Sequence, residues 1–385
     1  MRKVAIVGIG HGRFGVRSDA SLRELAFEAV KACLDDAGIP LKDVDSMVTG
    51  IAGDEFSFSL QPSAQVHDYI GFQPKPNFRV EGACATGSIA FRTGWMNVAS
   101  GLADIVLVVG AEKMTEVPTS VATDIMGRGG DATWEYPFGM TFPGYYAMMA
   151  NAHMAEFGTT EEHLASVAVK NHYYGSLNPF AHMQKEITLE KAVTSFTVAH
   201  PLKLYDCSLI TDGAAAVILA SEEKAKAISK KPVWIAGLGL ATDTMRIGER
   251  DTLTSIQATR EAARTAYKIA GVGPSDINIA TVHDCFTIAE IIAYEDLGFC
   301  ERGEGGKLIE AKETYVGGRI PVNVDGGLKS KGHPLGATGV SMAIEITKQL
   351  RGEAGPRQVK NPEMGLTHNV GGTGQVVAIH LFRRE

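Results

Sequence analysis

The sequence predicts an α/β fold made of two related βαβ-rich halves with a subdomain inserted between them. The segment AFEAVKACLDDAGIPLKDVDSMV, from Ala26, matches TREAARTAYKIAGVGPSDINIATV, from Thr259, placing Ala37-Gly38-Ile39 over Ala270-Gly271-Val272 and Asp43-Val44 over Asp276-Ile277. Each copy reads as an amphipathic helix ended by glycine and followed by an apolar strand. Each is also preceded by a hydrophobic strand, VAIVGIG at Val4 and VWIAGLGLA at Val233. A second echo sets Ala85-Thr86-Gly87 beside Ala337-Thr338-Gly339, both opening a long helix. Such internal repeats constrain the architecture before any single motif does.

The first half is expected over 1–114 together with 201–227, and the second over 232–385, with the SKKPVW segment around Pro232 as linker. Residues 115–200 fall outside the repeat and are rich in Met, Tyr, Phe and Gly, as in TFPGYYAMMANAHM. An insert of this kind on an α/β scaffold is expected to cover a binding site.

A chain of 385 residues with 45% hydrophobic and 21% charged residues has an ample core and an ordinary globular balance. The formal net charge of −7 argues against a general nucleic-acid surface or an anionic-membrane surface. The five cysteines (Cys33, Cys84, Cys207, Cys285 and Cys300) are scattered and contain no CxxC pair. That speaks against a disulfide framework or zinc ribbon and for a reducing, cytoplasmic setting. No apolar run is long enough to span a membrane. The opening MRKVAIVGIG reads as a first strand rather than a leader, because no small-residue cleavage site follows it.

Gly10-His11-Gly12-Arg13-Phe14-Gly15 has the GxGxxG spacing of a dinucleotide loop. Its context fails, because the next helix is capped by Ser21 rather than begun at the glycines. A turn is therefore expected here. Cys84 in VEGACATGS stands at the start of a helix of small residues, where the helix dipole is expected to lower a thiol's pKa. A buried inert cysteine is the competing reading. His333, in GGLKSKGHPLGATG, lies on a stiff turn before a helix and suits proton transfer, or is simply a satisfied turn histidine.

His283-Asp284-Cys285-Phe286 follows the apolar strand INIATV. Strand alternation turns His283 and Cys285 to one face and makes Asp284 structural. A metal pair is disfavoured because no further ligands match. His368-Asn369-Val370-Gly371-Gly372-Thr373-Gly374 precedes the last strand, and its open backbone N–H groups suit either an oxyanion site or a plain glycine turn.

Taken together, GACATGS, HDCF, GGLKSKGHPLGATG, HNVGGTG and YDCSLITDGAAAVIL resemble the thiolase superfamily over the whole chain. Within it the resemblance is to archaeal-type acetyl-CoA acetyltransferases of the sterol-carrier-protein-type subgroup. It implies a thiolase fold with mixed five-stranded sheets in α-β-α-β-α layers. Many thiolases carry Asn-Glu-Ala-Phe where this chain has HDCF, and a second catalytic cysteine where it has Asn369. The resemblance gives that cysteine's role to Cys285.

It also implies Cys84 as nucleophile, His333 as its base, and Cys84 with Gly371 as oxyanion-hole N–H donors. His283 would face the substrate's thioester oxygen, and Ser208 would contact the pantetheine arm. Coenzyme A thioesters would be substrate and product, with no resident cofactor or metal. The expected reaction joins two acetyl-CoA into acetoacetyl-CoA and CoA, or runs in reverse. Thiolysis of another 3-oxoacyl-CoA and a non-catalytic acyl-CoA-binding subunit are the alternatives. A homodimer or homotetramer is implied, and a complex with hydroxymethylglutaryl-CoA synthase through a small OB-fold protein.

Overall fold

A computed structural model describes residues 1–384. The chain opens with β1 (Val4–His11), α1 (Leu22–Ala37), β2 (Ser46–Gly50), α2 (Pro62–Tyr69), β3 (Asn77–Val80), α3 (Thr86–Ser100) and β4 (Ile105–Glu112). Next come α4 (Thr119–Gly127), α5 (Phe142–Phe157), α6 (Glu161–Ser176) and α7 (Leu189–Val193), with a ribbon of β5 (Thr197–Ala199) and β6 (Leu202–Lys203). β7 (Gly213–Ser221) and α8 (Glu222–Ile228) return the chain to the first sheet. The remainder runs β8 (Val233–Thr242), α9 (Gln257–Ala270), β9 (Ile279–Thr281), α10 (Thr287–Asp296), α11 (Gly305–Glu310), α12 (Leu335–Arg351), β10 (Met364–Gly371) and β11 (Val376–Arg383).

The internal repeat is visible element by element. α1 and α9 both end in a left-handed glycine, Gly38 (φ 67) and Gly271 (φ 68), and each leads through a 3₁₀ turn into a parallel strand, β2 or β9. The glycine pairs on β1 and β8 have a packing cause. A Cβ on Gly10 would come 2.0 Å from the Ala29 carbonyl of α1, and one on Gly239 would come 1.8 Å from the Ala262 carbonyl of α9. Each helix thus lies backbone-to-backbone on its strand, which only glycine permits. The GxGxxG match is half of this duplicated device, and α1 starts beyond it, with Ser21 and Glu24 forming a capping box.

The strands join in the order β3-β2-β4-β7-β1-β8-β11-β10-β9. The first five belong to the first half. The second half has four strands rather than five, and a bridge between Ala280 and Val322 marks the fifth place. A short pairing, Ala5 with Trp234 and Ile6 with Val233, connects the halves. The layers expected from the resemblance are present. α1 and α8 cover one half of the sheet and α9 covers the other, while α3 and α12 pack together between them.

That central crossing brings the motifs together. A Cβ on Gly87 would lie 2.7 Å from the Gly336 carbonyl, and one on Gly339 would lie 2.2 Å from the Ser88 amide. The first turns of α3 and α12 therefore touch through bare backbone, and the Ala-Thr-Gly echo is the signature of this contact. Glu112, at the end of β4, accepts the amides of Ala52 and Gly336 (both 2.9 Å) and pins the start of α12 to the first half. Asp212 accepts Lys113 Nζ at 2.7 Å and the amides of Met114 and Thr115, so the segment before β7 is clamped to the end of β4. Helices α4 and α5 and the β5–β6 ribbon lie over the same end of the molecule.

Candidate active site

Cys84 sits in a 3₁₀ turn, Ala83–Ala85, that leads into α3. Ala83 holds a left-handed φ of 49, a conformation costing a non-glycine residue on the order of 1 kcal/mol or more. Thr86 holds the turn in place: its hydroxyl donates to the Ala83 carbonyl (2.6 Å) and accepts the Gly82 amide (2.9 Å). The sulfur thereby faces a cavity of about 450 Å³. Cys285, His333, Ser208, Phe286 and Gly372 line it, with Met126, Phe142 and Val198 from the stretch between β4 and β7.

Cys84 Sγ and one ring nitrogen each of His283 and His333 lie within 4.8 Å of one another. This trio, and not the pair His283 and Cys285, is the grouping with ligand-like spacing. The two rings stand nearly perpendicular, with centroids 5.1 Å apart. Their hydrogen bonds assign opposite tautomers. Asn369 Nδ2 donates to His283 Nδ1 (3.0 Å) and to the Cys84 carbonyl (3.0 Å), so His283 carries its proton on Nε2. Thr338 donates its hydroxyl to the Pro334 carbonyl, so that oxygen accepts from His333 Nδ1 (2.7 Å) and leaves His333 Nε2 with a free lone pair. Neither Nε2 has a partner in the protein. One histidine offers a proton and the other can take one.

Cys285 follows β9 and is buried, its carbonyl accepting the Ser208 amide at 2.9 Å. Asp284 turns the other way, accepting the amides of Leu328 (2.6 Å) and Lys329 (3.1 Å) and the Asn171 side chain (2.7 Å). It ties the HDCF segment to the turn that carries His333. His368 also points away, to Thr259 Oγ1 at 2.9 Å, by the alternation along β10. The glycine turn departs in detail from expectation. Gly371 is the last paired residue of β10, opposite Val376, and a Cβ there would lie 2.4 Å from the Gly82 carbonyl. The peptide N–H groups that face the Cys84 sulfur are those of Gly372 and of Cys84 itself.

Electrostatically the site rests uncharged. Burial lowers His333 to about 3 and holds His283 well below the ordinary imidazole range. Burial also raises Cys84 to about 11, against the Gly372 N–H, and puts Cys285 well above the usual thiol value. Burial thus opposes the acidity expected of a thiol at a helix start. Alkylation of Cys84 by iodoacetamide is accordingly expected to speed up about tenfold per pH unit from pH 7 to pH 10. A rate that levels off below pH 9 would contradict this.

Asn369, Thr338, Thr86 and Tyr146 were not singled out by sequence reasoning. Thr86 and Thr338 had a signal, since they hold matching places in the Ala-Thr-Gly echo.

Residues 4–223 match the thiolase N-terminal domain and residues 239–384 the thiolase C-terminal domain-like family. The chain belongs to the thiolase family. Among its thiolase relatives, an acetyl-CoA acetyltransferase of Methanothermobacter thermautotrophicus is 47% identical over all of both chains. Sterol carrier protein 2 of Bos taurus is 37% identical over 97% of this chain and 71% of its own length. A solved structure described as the Ltp2-ChsH2(DUF35) aldolase superposes with a TM-score of 0.84 at 30% identity, covering 98% of this chain and 97% of that one. This thiolase is an acyltransferase, and no described helix is long and apolar enough to cross a membrane.

Proposed function

We propose that this thiolase condenses two acetyl-CoA to acetoacetyl-CoA and CoA, or cleaves acetoacetyl-CoA in reverse, through an acyl-Cys84 intermediate. As His333 Nε2 takes the Cys84 thiol proton, the sulfur attacks the thioester carbon. The resulting oxyanion rests on the N–H groups of Cys84 and Gly372. Collapse expels coenzyme A thiolate, which recovers the proton from His333. A second acetyl-CoA then places its thioester oxygen against His283 Nε2–H. Cys285 gives its thiol proton to the freed His333 Nε2 and, as thiolate, removes the methyl proton: the C–H bond breaks, an S–H bond forms, and the electron pair passes to the enolate. The enolate carbon attacks the acyl carbon, and Cys84 leaves as thiolate and takes the proton back from His333.

One arrangement carries this reading. A thiol stands within 4.8 Å of two imidazole nitrogens, one poised to accept a proton and the other to donate. The acetyl group as substrate rests on the relative named as an acetyl-CoA acetyltransferase, and Ser208 on the cavity wall supports its contact with the pantetheine arm. The chemistry needs no metal.

Residues 1–114 with 201–227, 115–200 and 232–385 are proposed as the two halves and the insert. A homodimer or homotetramer is supported by β3, which leaves one edge of the sheet unpaired with Phe78 exposed. Association with hydroxymethylglutaryl-CoA synthase through a small OB-fold protein, and a cytoplasmic setting, complete the proposal. A structural neighbour described with a second component, ChsH2(DUF35), supports partnership in general terms.

The test is incubation with acetyl-CoA followed by intact-mass measurement and peptide mapping. One acetyl group on Cys84 is expected, together with cleavage of acetoacetyl-CoA by free CoA. Cys285→Ala is expected to keep the acetylation and lose about 10²–10⁴ in condensation. Full condensation by that variant would point to a synthase-type mechanism, and an unmodified Cys84 to a binding subunit.

A further inference from the structure

Tyr146 is fully buried on α5, inside the stretch that carries no repeat. Its ring stacks on Phe286, with centroids 4.7 Å apart and planes 26° from parallel. Its hydroxyl donates to the Gly372 carbonyl at 3.1 Å and faces the Cys285 sulfur, near enough to act on it. The Ser208 amide grips the Cys285 carbonyl from the other side.

A hydroxyl has one proton and can still accept. While Cys285 is a thiol, the Tyr146 proton goes to Gly372 and the Tyr146 oxygen stays open to the S–H. When Cys285 is a thiolate, turning one torsion brings the Tyr146 O–H onto the sulfur.

We propose that Tyr146 is a positioning residue that aims the Cys285 sulfur at the substrate α-carbon and steadies it when it is deprotonated. This deepens the reading of Cys285 as the group that moves the α-proton, and rests on it. A hydrogen bond given to the charged form of an acid lowers its pKa, and its loss raises it. The ring stack would survive Tyr146→Phe, which removes the hydroxyl alone.

The discriminating measurement is hydrogen–deuterium exchange at the methyl group of acetyl-CoA in D₂O, followed across pH beside Cys84 acetylation by intact mass. Tyr146→Phe is expected to acetylate Cys84 within about threefold of the wild-type rate while exchange falls about 10- to 100-fold. Its pH–rate curve for exchange should move to higher pH. Replacing Tyr146 with 3-fluorotyrosine, a stronger donor of the same shape, should move the curve to lower pH. Unmoved curves in both proteins overturn the role of Tyr146, as does an equal loss of acetylation and exchange in Tyr146→Phe. Exchange at the wild-type rate by Cys285→Ala would instead overturn the reading beneath it.

Discussion

Replacing Cys84 with serine is expected to abolish acyl transfer, leaving less than about 10⁻⁴ of the wild-type thiolysis rate. The cause is the state in which the nucleophile waits. With its thiol near pKa 11 and both histidines neutral, no ion is stored in the resting site. Attack therefore depends on moving the proton to His333 as the S–C bond forms. A serine hydroxyl is far less acidic than a thiol, and the same neutral imidazole cannot match it. The acyl-serine would also be an oxygen ester, a poorer donor to an enolate than a thioester. Because serine is close to isosteric and Thr86 still holds the turn, stability should change little. Thiolysis kinetics and thermal unfolding of Cys84→Ser together decide it. Retention of more than about one hundredth of the activity, or an acetyl group found on Cys285, would remove Cys84 from its role.

The backbone of this site was legible in the sequence, but its chemistry was less so. Cys84, His333 and the HDCF segment each follow or precede glycines, prolines or strand ends, and such residues punctuate a chain wherever it turns into a ligand crevice. Their meeting was also traceable, through the Ala-Thr-Gly echo. What the echo could not reveal is that Gly87 and Gly339 are needed for the contact between α3 and α12 that sets Cys84 beside His333.

Tyr146 and Asn369 were beyond reach for a different reason. Tyr145 and Tyr146 are adjacent and both buried, yet the Tyr146 hydroxyl is the one that faces the Cys285 sulfur. That distinction belongs to the docking of α5 on the second half and leaves no mark on spacing. Asn369 occupied a position known only as a missing cysteine, while its two amide protons fix the His283 tautomer and hold the Cys84 carbonyl. The burial that raises the Cys84 pKa was not legible, because a helix start can be seen in sequence and the depth of a sulfur cannot.

His333→Ala is expected to slow acetylation of Cys84 by about 10²–10⁴-fold, the usual cost of removing a positioned base. It should leave acetyl-CoA binding close to unchanged, because the cavity wall beside it is mostly apolar side chains that stay in place. The shape of the wild-type pH profile is the more searching check. A histidine titrating near its ordinary value would give an acid limb centred near pH 6.5. Here burial keeps His333 unprotonated down to about pH 3, so the base form is already complete at pH 5. Between pH 5 and pH 9 the acetylation rate should therefore show no inflection from His333. Any rise across that range should come from the thiol, which stays protonated until about pH 11. Thr338 makes the same point from the other side of the ring. In Thr338→Val, His333 Nδ1 loses its acceptor, the tautomer with the proton on Nε2 gains population, and the fraction of molecules with a lone pair facing Cys84 falls. Acetylation rates of wild type and His333→Ala, measured by mass from pH 5 to pH 9, test the assignment. An acid limb near pH 6.5 that disappears in His333→Ala would mean that the imidazole is solvated and charged in the working enzyme, and the neutral resting site would have to be abandoned.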